Sequence, residues 1–413
     1  MKKNSIMKNE WEISDFENCL EKVNYTKKIQ KKDFKEQGNF PIISQEQEFV
    51  NGYWDEEKDL FRIVKPVVIF GDHTKVIKYV DFDFVLGADG VKILKTKKHI
   101  VPKYLYYYLQ NIELENLGYA RHYRLLKEKM IEYPKSLPEQ HRIVSILDKC
   151  FSAIDKAKAN AEQNLKNAKE LFESYLQEKM SEPGFSGLKD EQDNHKEKIL
   201  KSKKTLTHDS DKWEVKKLGE CIVKTDTIDP TKNPDKEFTY LDVSSVNKET
   251  KKIENPVLLL GKDAPSRARK IIKTRDVIFA TVRPTHSRVT LIPLELNDQV
   301  CSTGYFVVRP KNFLNSEFVF YFFLTDGFNK RMEKLQKGAN YPAVTDIDIK
   351  ETMITFPKSL PEQQRIVRQL DALRSETKKL EAIYQKKIAN LDELKKTILQ
   401  KAFNCQNQDF QDF

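Results

Sequence analysis

The stretch PKSLPEQHRIV begins at Pro134 and PKSLPEQQRIV begins at Pro357, so eleven letters recur 223 positions on with one difference, His141 against Gln364. Chance does not produce such a match at ordinary composition, so the chain is internally repeated and its fold is one adopted twice. The repeat extends upstream: WEISDFENCLEK from Trp11 and WEVKKLGECIVK from Trp213 share Trp, Glu, Cys and Lys at a common offset of 202. VVIFGDHTKV near Val67 parallels DVIFATVRPTHSRV near Asp276, and VLGADGVKIL near Val85 parallels VCSTGYFVVRP near Val300. PKYLYYYLQ near Pro102 parallels SEFVFYFFLTD near Ser316, and a glycine, Gly118 or Gly338, precedes each shared motif. The order of elements is constant while the letters between them differ.

Each copy has two parts. Residues 9–135 and 211–358 carry short β-type runs such as VVIF, VKIL and YFVV separated by turn residues, followed by a Tyr- or Phe-rich stretch that reads as a helix on the sheet; these parts are expected to be mixed α/β. The second part, 136–180 and 359–403, opens at the repeated motif, where Pro138 and Pro361 suit a first helical turn and Ser136 and Ser359 are N-cap candidates. Apolar residues then recur at steps of three and four, from Ile143 to Tyr175 and from Ile366 to Ile398, with no Pro or Gly between. The spacing predicts two helices of about 40 residues, on the order of 60 Å long, with a seam sustained over about six heptads. A helix that long overhangs a domain of about 125 residues, so pairing with its sister as an antiparallel coiled coil about a pseudo-twofold axis is the expected solution. Residues 181–210 are polar, punctuated by Pro183, Gly184 and Gly187, and read as a flexible linker.

The chain's 413 residues suit two domains plus connecting elements, and 39% apolar residues are enough for packed cores. The net charge of +10 fits a partner that is nucleic acid or an acidic membrane surface, and equally fits a lysine-rich proteome. Cys19, Cys150, Cys221, Cys301 and Cys405 form no CxxC pair and have no His at zinc spacing, so they read as core residues in a reducing compartment. No apolar run approaches about 18 residues, and MKKNSIMKNEWEIS has no apolar stretch of a signal peptide, so a soluble cytoplasmic protein is expected.

Two basic heads held on a rigid spacer make a ruler, and a duplex offers the same face every ~34 Å. Heads that differ in sequence are expected to read two different short sequences across an unread gap. Candidate DNA-binding residues lie where the copies differ and polar or aromatic side chains cluster: Ser44, Gln45, Asp72, His73, Lys75, Tyr119, Arg121, His122, Tyr123 and Arg124 in the first head. In the second they are Ser266, Arg267, Arg269, Arg283, His286, Ser287, Arg288, Asn340 and Tyr341. Arg suits guanine and Asn or Gln suits adenine, although any such residue can equally hold a phosphate or sit in a solvated loop. No catalytic constellation stands out: there is no phosphate loop or GxGxxG, no Asn/Asp-Pro-Pro-aromatic stretch, and no Ser/His/Asp or Cys/His set. Pro234-Asp235 with Glu249-Thr250-Lys251 mimics a nuclease site only as loosely as chance allows at this charge content. The chain reads as a recogniser without its own engine.

With these residues in view, the chain resembles the specificity (S) subunit of type I restriction-modification systems. Leu137-Pro138-Glu139-Gln140 with Arg142-Ile143-Val144, Leu360-Pro361-Glu362-Gln363 with Arg365-Ile366-Val367, the openings at Trp11 and Trp213, and the segments YLDVSSVNKET, APSRARK, CSTG and KGANYPAV carry the resemblance. It implies two target recognition domains, a bipartite double-stranded DNA target and two methyltransferase (modification) subunits. It further implies two restriction motor subunits. S-adenosylmethionine, ATP and Mg are then expected on those partners and no cofactor or metal on this chain, which is not itself an enzyme. The helices would serve as spacer and docking surface, and Glu139, Gln140, Arg142, Glu362, Gln363 and Arg365 would dock subunits or fix the junction. The alternatives are a specificity subunit whose partners fuse methyltransferase and nuclease, and a stand-alone DNA-binding regulator.

Overall fold

A computed structural model describes residues 10–87, 90–115, 118, 120–180 and 212–403. The linker 181–210, Tyr119 and Cys405 lie outside the described residues. The described residues form two compact units, those within Met1–Gln163 together with those within Tyr384–Phe413, and those within Asn164–Ile383.

The first unit contains β1 (Trp11–Asp15), β2 (Lys28–Ile29), β3 (Phe40–Ile43), β4 (Gly52–Trp54), β5 (Leu60–Phe61), β6 (Val67–Gly71), β7 (Ile77–Val80), β8 (Phe84–Gly87) and β9 (Val91–Leu94). Helices α1 (Pro102–Asn111) and α2 (Tyr123–Lys127), strand β10 (Met130–Pro134) and the long helix α3 (Leu137–Met180) follow, α3 belonging to this unit only up to Gln163. The second unit contains β11 (Trp213–Lys217), β12 (Glu237–Leu241), β13 (Val257–Leu260), β14 (Ala268–Ile272), β15 (Val277–Ala280), β16 (Val289–Leu291), β17 (Gln299–Ser302) and β18 (Tyr305–Val308). It continues through α4 (Ser316–Leu324), α5 (Asp326–Leu335), α6 (Asp346–Lys350), β19 (Met353–Pro357) and the second long helix, α7 (Leu360–Ala402), which from Tyr384 on belongs to the first unit.

The two heads share one topology. Each has a three-stranded antiparallel sheet, β7-β6-β9 and β16-β15-β18, and a mixed sheet, β4-β3-β8-β5 (with β2 also on β8) and β13-β12-β17-β14, containing a central parallel pair, β3/β8 and β12/β17. Each also has a two-stranded ribbon in which the opening tryptophan meets the proline that begins the repeated motif, Trp11 opposite Pro134 and Trp213 opposite Pro357. The central strands VVIFG and VIFA are buried at every position, which is why they read as unbroken apolar runs rather than alternating ones. The aromatic stretch after them is the expected helix: Tyr104, Leu105 and Leu109 of α1, and Phe318, Val319 and Phe323 of α4, are buried.

The repeated letters have one structural job in both heads. Gln140 is completely buried; its side-chain carbonyl accepts from the Val101 N–H (2.8 Å) and its amide donates to the His99 and Pro134 carbonyls (2.8 Å each). Gln363 repeats this, accepting from the Asn315 N–H (2.8 Å) and donating to the Phe313 (2.9 Å) and Pro357 (2.7 Å) carbonyls. About two turns of helix further on, the carboxylates of Asp148 and Asp371 accept from the hydroxyls of Tyr107 and Tyr321 at 2.5 Å. Burial, then the neighbouring carboxylate, pushes both phenols above their ordinary range. Gln and Tyr–Asp together staple the helix to the sheet's own helix at a set angle.

The long helices run antiparallel. In the first unit Lys158 of α3 pairs with Asp392 of α7 (2.6 Å) and Asp155 with Lys395 (3.0 Å), so one partner number rises as the other falls. The end of α7 completes the first head's core: Leu399, Ala402 and Phe403 join Tyr104, Leu105 and Leu147, with the Phe403 ring edge-on to Tyr104 and Tyr108 at 5.3 Å. In the second unit Leu176 and Met180 of α3 join Phe318, Ile366 and Leu370 in the equivalent way. A helix overhanging its own head is thus buried by the other copy's head.

Candidate nucleic-acid interface

In the first head, four segments distant in sequence converge on the turn after β6. Asp72 is buried; its carboxylate accepts from the Tyr123 N–H (2.8 Å) and lies 3.6 Å from the Lys92 ammonium. Its backbone carbonyl accepts from the His122 N–H (2.7 Å), and the His122 ring, fully buried, lies 3.1 Å from the same oxygen. Gln45 accepts from the His73 N–H (3.1 Å) and from the Thr74 hydroxyl through its own carbonyl (2.6 Å). Gly90 sits at φ +93, where a Cβ would lie 2.5 Å from the Gln45 side chain, so the approach of these loops requires glycine. Lys92 and Lys127 flank the Tyr123 ring at 5.4 and 5.5 Å.

Of the residues chosen from sequence in this head, Gln45, His73, Lys75, Arg121, Tyr123 and Arg124 are partly or fully exposed. Ser44, Asp72 and His122 are buried instead, and their polar atoms hold the loops together rather than facing solvent. The physical reason is general: a carboxylate in a turn finds free backbone N–H groups sooner than a distant ligand.

In the second head, Arg283 and Ser287 bracket a single turn, Pro284–His286, both in the left-handed region (φ 49 and 45), a conformation costly for residues bearing a Cβ. The turn presents Arg283 outward, stacked at 5.0 Å on the exposed ring of Tyr341 and within 3.5 Å of the Asn340 carbonyl. The Arg283 N–H donates to the Pro342 carbonyl (2.7 Å), which joins this turn to the GANYPAV loop. Burial lowers the His286 imidazole below its usual value, and the cations of Lys248, Arg288 and Arg283 push the same way. Arg267 and Ser266 are exposed, Arg269 is half-buried beside Asp229 (3.5 Å), Arg288 donates to the Val246 carbonyl and Ser287 bonds Asn329.

Thus Arg283, Asn340 and Tyr341 come together as one exposed cation–aromatic surface, with the half-buried His286 on the same turn. Lys92 beside Asp72, Lys251 on the Ser287 carbonyl and Asn329 on the Ser287 hydroxyl take part in these clusters without a signal in the sequence, because lone Lys and Asn letters carry no pattern.

At the junctions, Glu139 holds Arg142 by two bonds of 2.9 Å, and Glu362 holds Arg365 at 2.8 and 2.6 Å. These pairs are partly exposed, whereas Gln140 and Gln363 are fully enclosed; the latter fix the junction and offer no surface to a docking subunit. Among the described residues no cluster of His, Cys, Asp or Glu could hold a metal ion, and no helix is long and apolar enough to cross a membrane.

The model of the type I restriction modification DNA specificity domain matches twice, over residues 8–167 and 210–390. The chain belongs to that family. It is 32% identical over 151 residues to the EcoR124I/EcoR124II specificity subunit of Escherichia coli, covering 33% of this chain and 37% of the relative. It is 26% identical over 141 residues to the EcoDI specificity subunit of Escherichia coli, covering 34% of this chain and 30% of the relative. The matched segments therefore span about a third of these relatives. Among solved structures, the HsdS subunit from Thermoanaerobacter tengcongensis is 40% identical over 42% of this chain and 44% of its own, with a TM-score of 0.39. The S subunit from M. genitalium aligns over 95% of this chain and 96% of its own at 15% identity and a TM-score of 0.39.

Proposed function

We propose that this chain is the DNA-reading subunit of a type I restriction-modification complex, binding a bipartite duplex target with one half read by each head. The observation that carries the reading is the contrast between repeated and diverged positions: the Gln and Tyr–Asp staples are the same in both copies, while the exposed polar loops differ. Two like scaffolds with unlike reading loops suit two different half-sites. Arg283 and Asn340 are the strongest base-reading candidates in the second head, and Lys75, Arg121 and Arg124 in the first. The chain supplies no catalytic group in this proposal. Two methyltransferase subunits bring S-adenosylmethionine, two motor subunits bring ATP and Mg, and the long helices are their spacer and docking surface, with the exposed Glu139–Arg142 and Glu362–Arg365 pairs at the junctions. The complex acts in the cytoplasm, where its DNA is.

Long-read methylation mapping of the source strain tests this, with the gene intact and deleted. A split adenine-methylated motif that vanishes on deletion is expected, and exchange of residues 213–358 should alter one half of it only. If the methylome is unchanged and the purified chain captures no methyltransferase, the proposal fails.

A further inference from the structure

On the second head, positive charge continues past the Arg283 turn onto α7. The turn at residues 247–252 is closed by Asn247, whose side-chain oxygen accepts from the N–H groups of Glu249 (2.7 Å) and Thr250 (3.0 Å). Lys251, at φ 60, folds back so that its ammonium donates to the Ser287 carbonyl at 2.6 Å. Arg374 of α7 lies over the Phe320 ring at 5.1 Å and reaches the Thr250 carbonyl at 3.5 Å, and Lys378, one turn further, is exposed. Burial, then Arg374, pushes the Lys251 ammonium down to about 8, and burial, Arg374 and Lys252 lower that of Lys378. The nearby carboxylates are largely engaged: Glu249 lies 3.5 Å from Lys248, and Glu254 accepts from Asn247 (3.0 Å) and Thr250 (3.3 Å), leaving Glu381 beside Lys378. Lys251 and Arg374 are therefore held in place by carbonyls and a ring, and Glu249 and Glu381 offset only part of the cluster's positive charge. The first copy does not repeat the arrangement. At the matching positions, 223 residues earlier, stand Phe151 and Asp155, and Asp155 is taken up by Lys395.

We propose that Lys251, Lys252, Arg374 and Lys378 form a clamp for a phosphate of the duplex backbone, present on the second head alone. Phosphate contacts fix register without reading bases, so this clamp anchors the duplex beside the Arg283–Tyr341 surface. The inference rests on the DNA-reading proposal above.

The test uses the full chain in complex with its methyltransferase subunit, and two duplexes, one carrying the mapped target and one of random sequence. Lys252→Gln and Lys378→Gln change exposed side chains, and unaltered thermal unfolding checks the fold. Each variant is expected to weaken both duplexes by the same factor. Each should also shrink the loss of affinity between about 50 and about 200 mM salt, by at most about 3.5-fold, the share of the one phosphate the clamp neutralises. Lys379→Gln, whose ammonium pairs with Glu376 at 2.8 Å, is expected to change neither. An unchanged salt slope in both variants, or weakening confined to the target duplex, overturns the clamp while leaving the DNA-reading proposal standing. Absence of salt-dependent binding by the wild-type complex overturns both.

Discussion

Replacing Gln140 by leucine keeps the volume of the side chain and removes its amide. Two buried backbone groups, the Val101 N–H and the Pro134 carbonyl, and the part-buried His99 carbonyl then lose their partners. Each bond contributes about 1 kcal/mol net, and each group left dry costs about 1–3 kcal/mol, while the leucine recovers a little by packing. The expected loss is about 3–5 kcal/mol, confined to the first unit. Trp11 and Trp54 lie in that unit and Trp213 in the other, so a Trp213→Phe background reports the first unit by fluorescence during denaturant unfolding. Gln363→Leu, read through Trp213 with Trp11 and Trp54 replaced by Phe, is expected to cost a similar amount in the second unit, because the three bonds are the same in kind and within 0.1 Å in length. His141→Gln, the one natural difference in the motif, is exposed and should change stability by less than about 0.5 kcal/mol. A loss below about 1 kcal/mol for Gln140→Leu would refute the reasoning, because two buried groups and a part-buried one left without partners cannot cost so little.

Other outcomes follow from the same geometry. Arg283→Ala removes the exposed guanidinium from its Tyr341 stack and is expected to relax one half of the methylated motif, at about 1–3 kcal/mol of discrimination, while leaving the other half intact; methylation mapping of the variant strain reads this directly. Lys78 is buried, and its ammonium donates to the Glu48 carbonyl and to Asn51 (3.1 Å) with its pKa pushed down to about 8 by burial. Because the unfolded state holds that proton to higher pH, stability of the first unit should rise from about pH 8 towards 10 relative to a Lys78→Met variant; parallel pH profiles of the two proteins would contradict this. Phe403→Ala empties the slot between Tyr104 and Tyr108 and should cost the first unit about 3 kcal/mol, seen as a lower denaturation midpoint with the second unit unmoved.

Much of the fold was legible because its signals are local. The doubled motif, the apolar periodicity and the uninterrupted helical runs each act within a few turns of chain, so the existence of two α/β heads and two long helices follows from the letters. The family membership likewise rests on a motif written twice. Side-chain roles were less legible, because burial depends on what arrives from elsewhere in the chain. Asp72 and His122 read as exposed polar letters, yet the loops that close over them come from positions 45, 90 and 123. Gln140 and Gln363 read as residues that dock a subunit or fix the junction, and each bonds three carbonyl and amide groups of its own head.

By itself, then, the sequence determined the doubling, the class of each element and the antiparallel sense expected of long helices that need a partner. Only the tertiary structure decided that the end of each long helix completes a head's core, and which polar residues face solvent. The reason is range: periodicity and capping are settled by neighbours in the chain, whereas burial, ion pairing and the crowding of Lys251 with Arg374 are settled by residues more than a hundred positions apart.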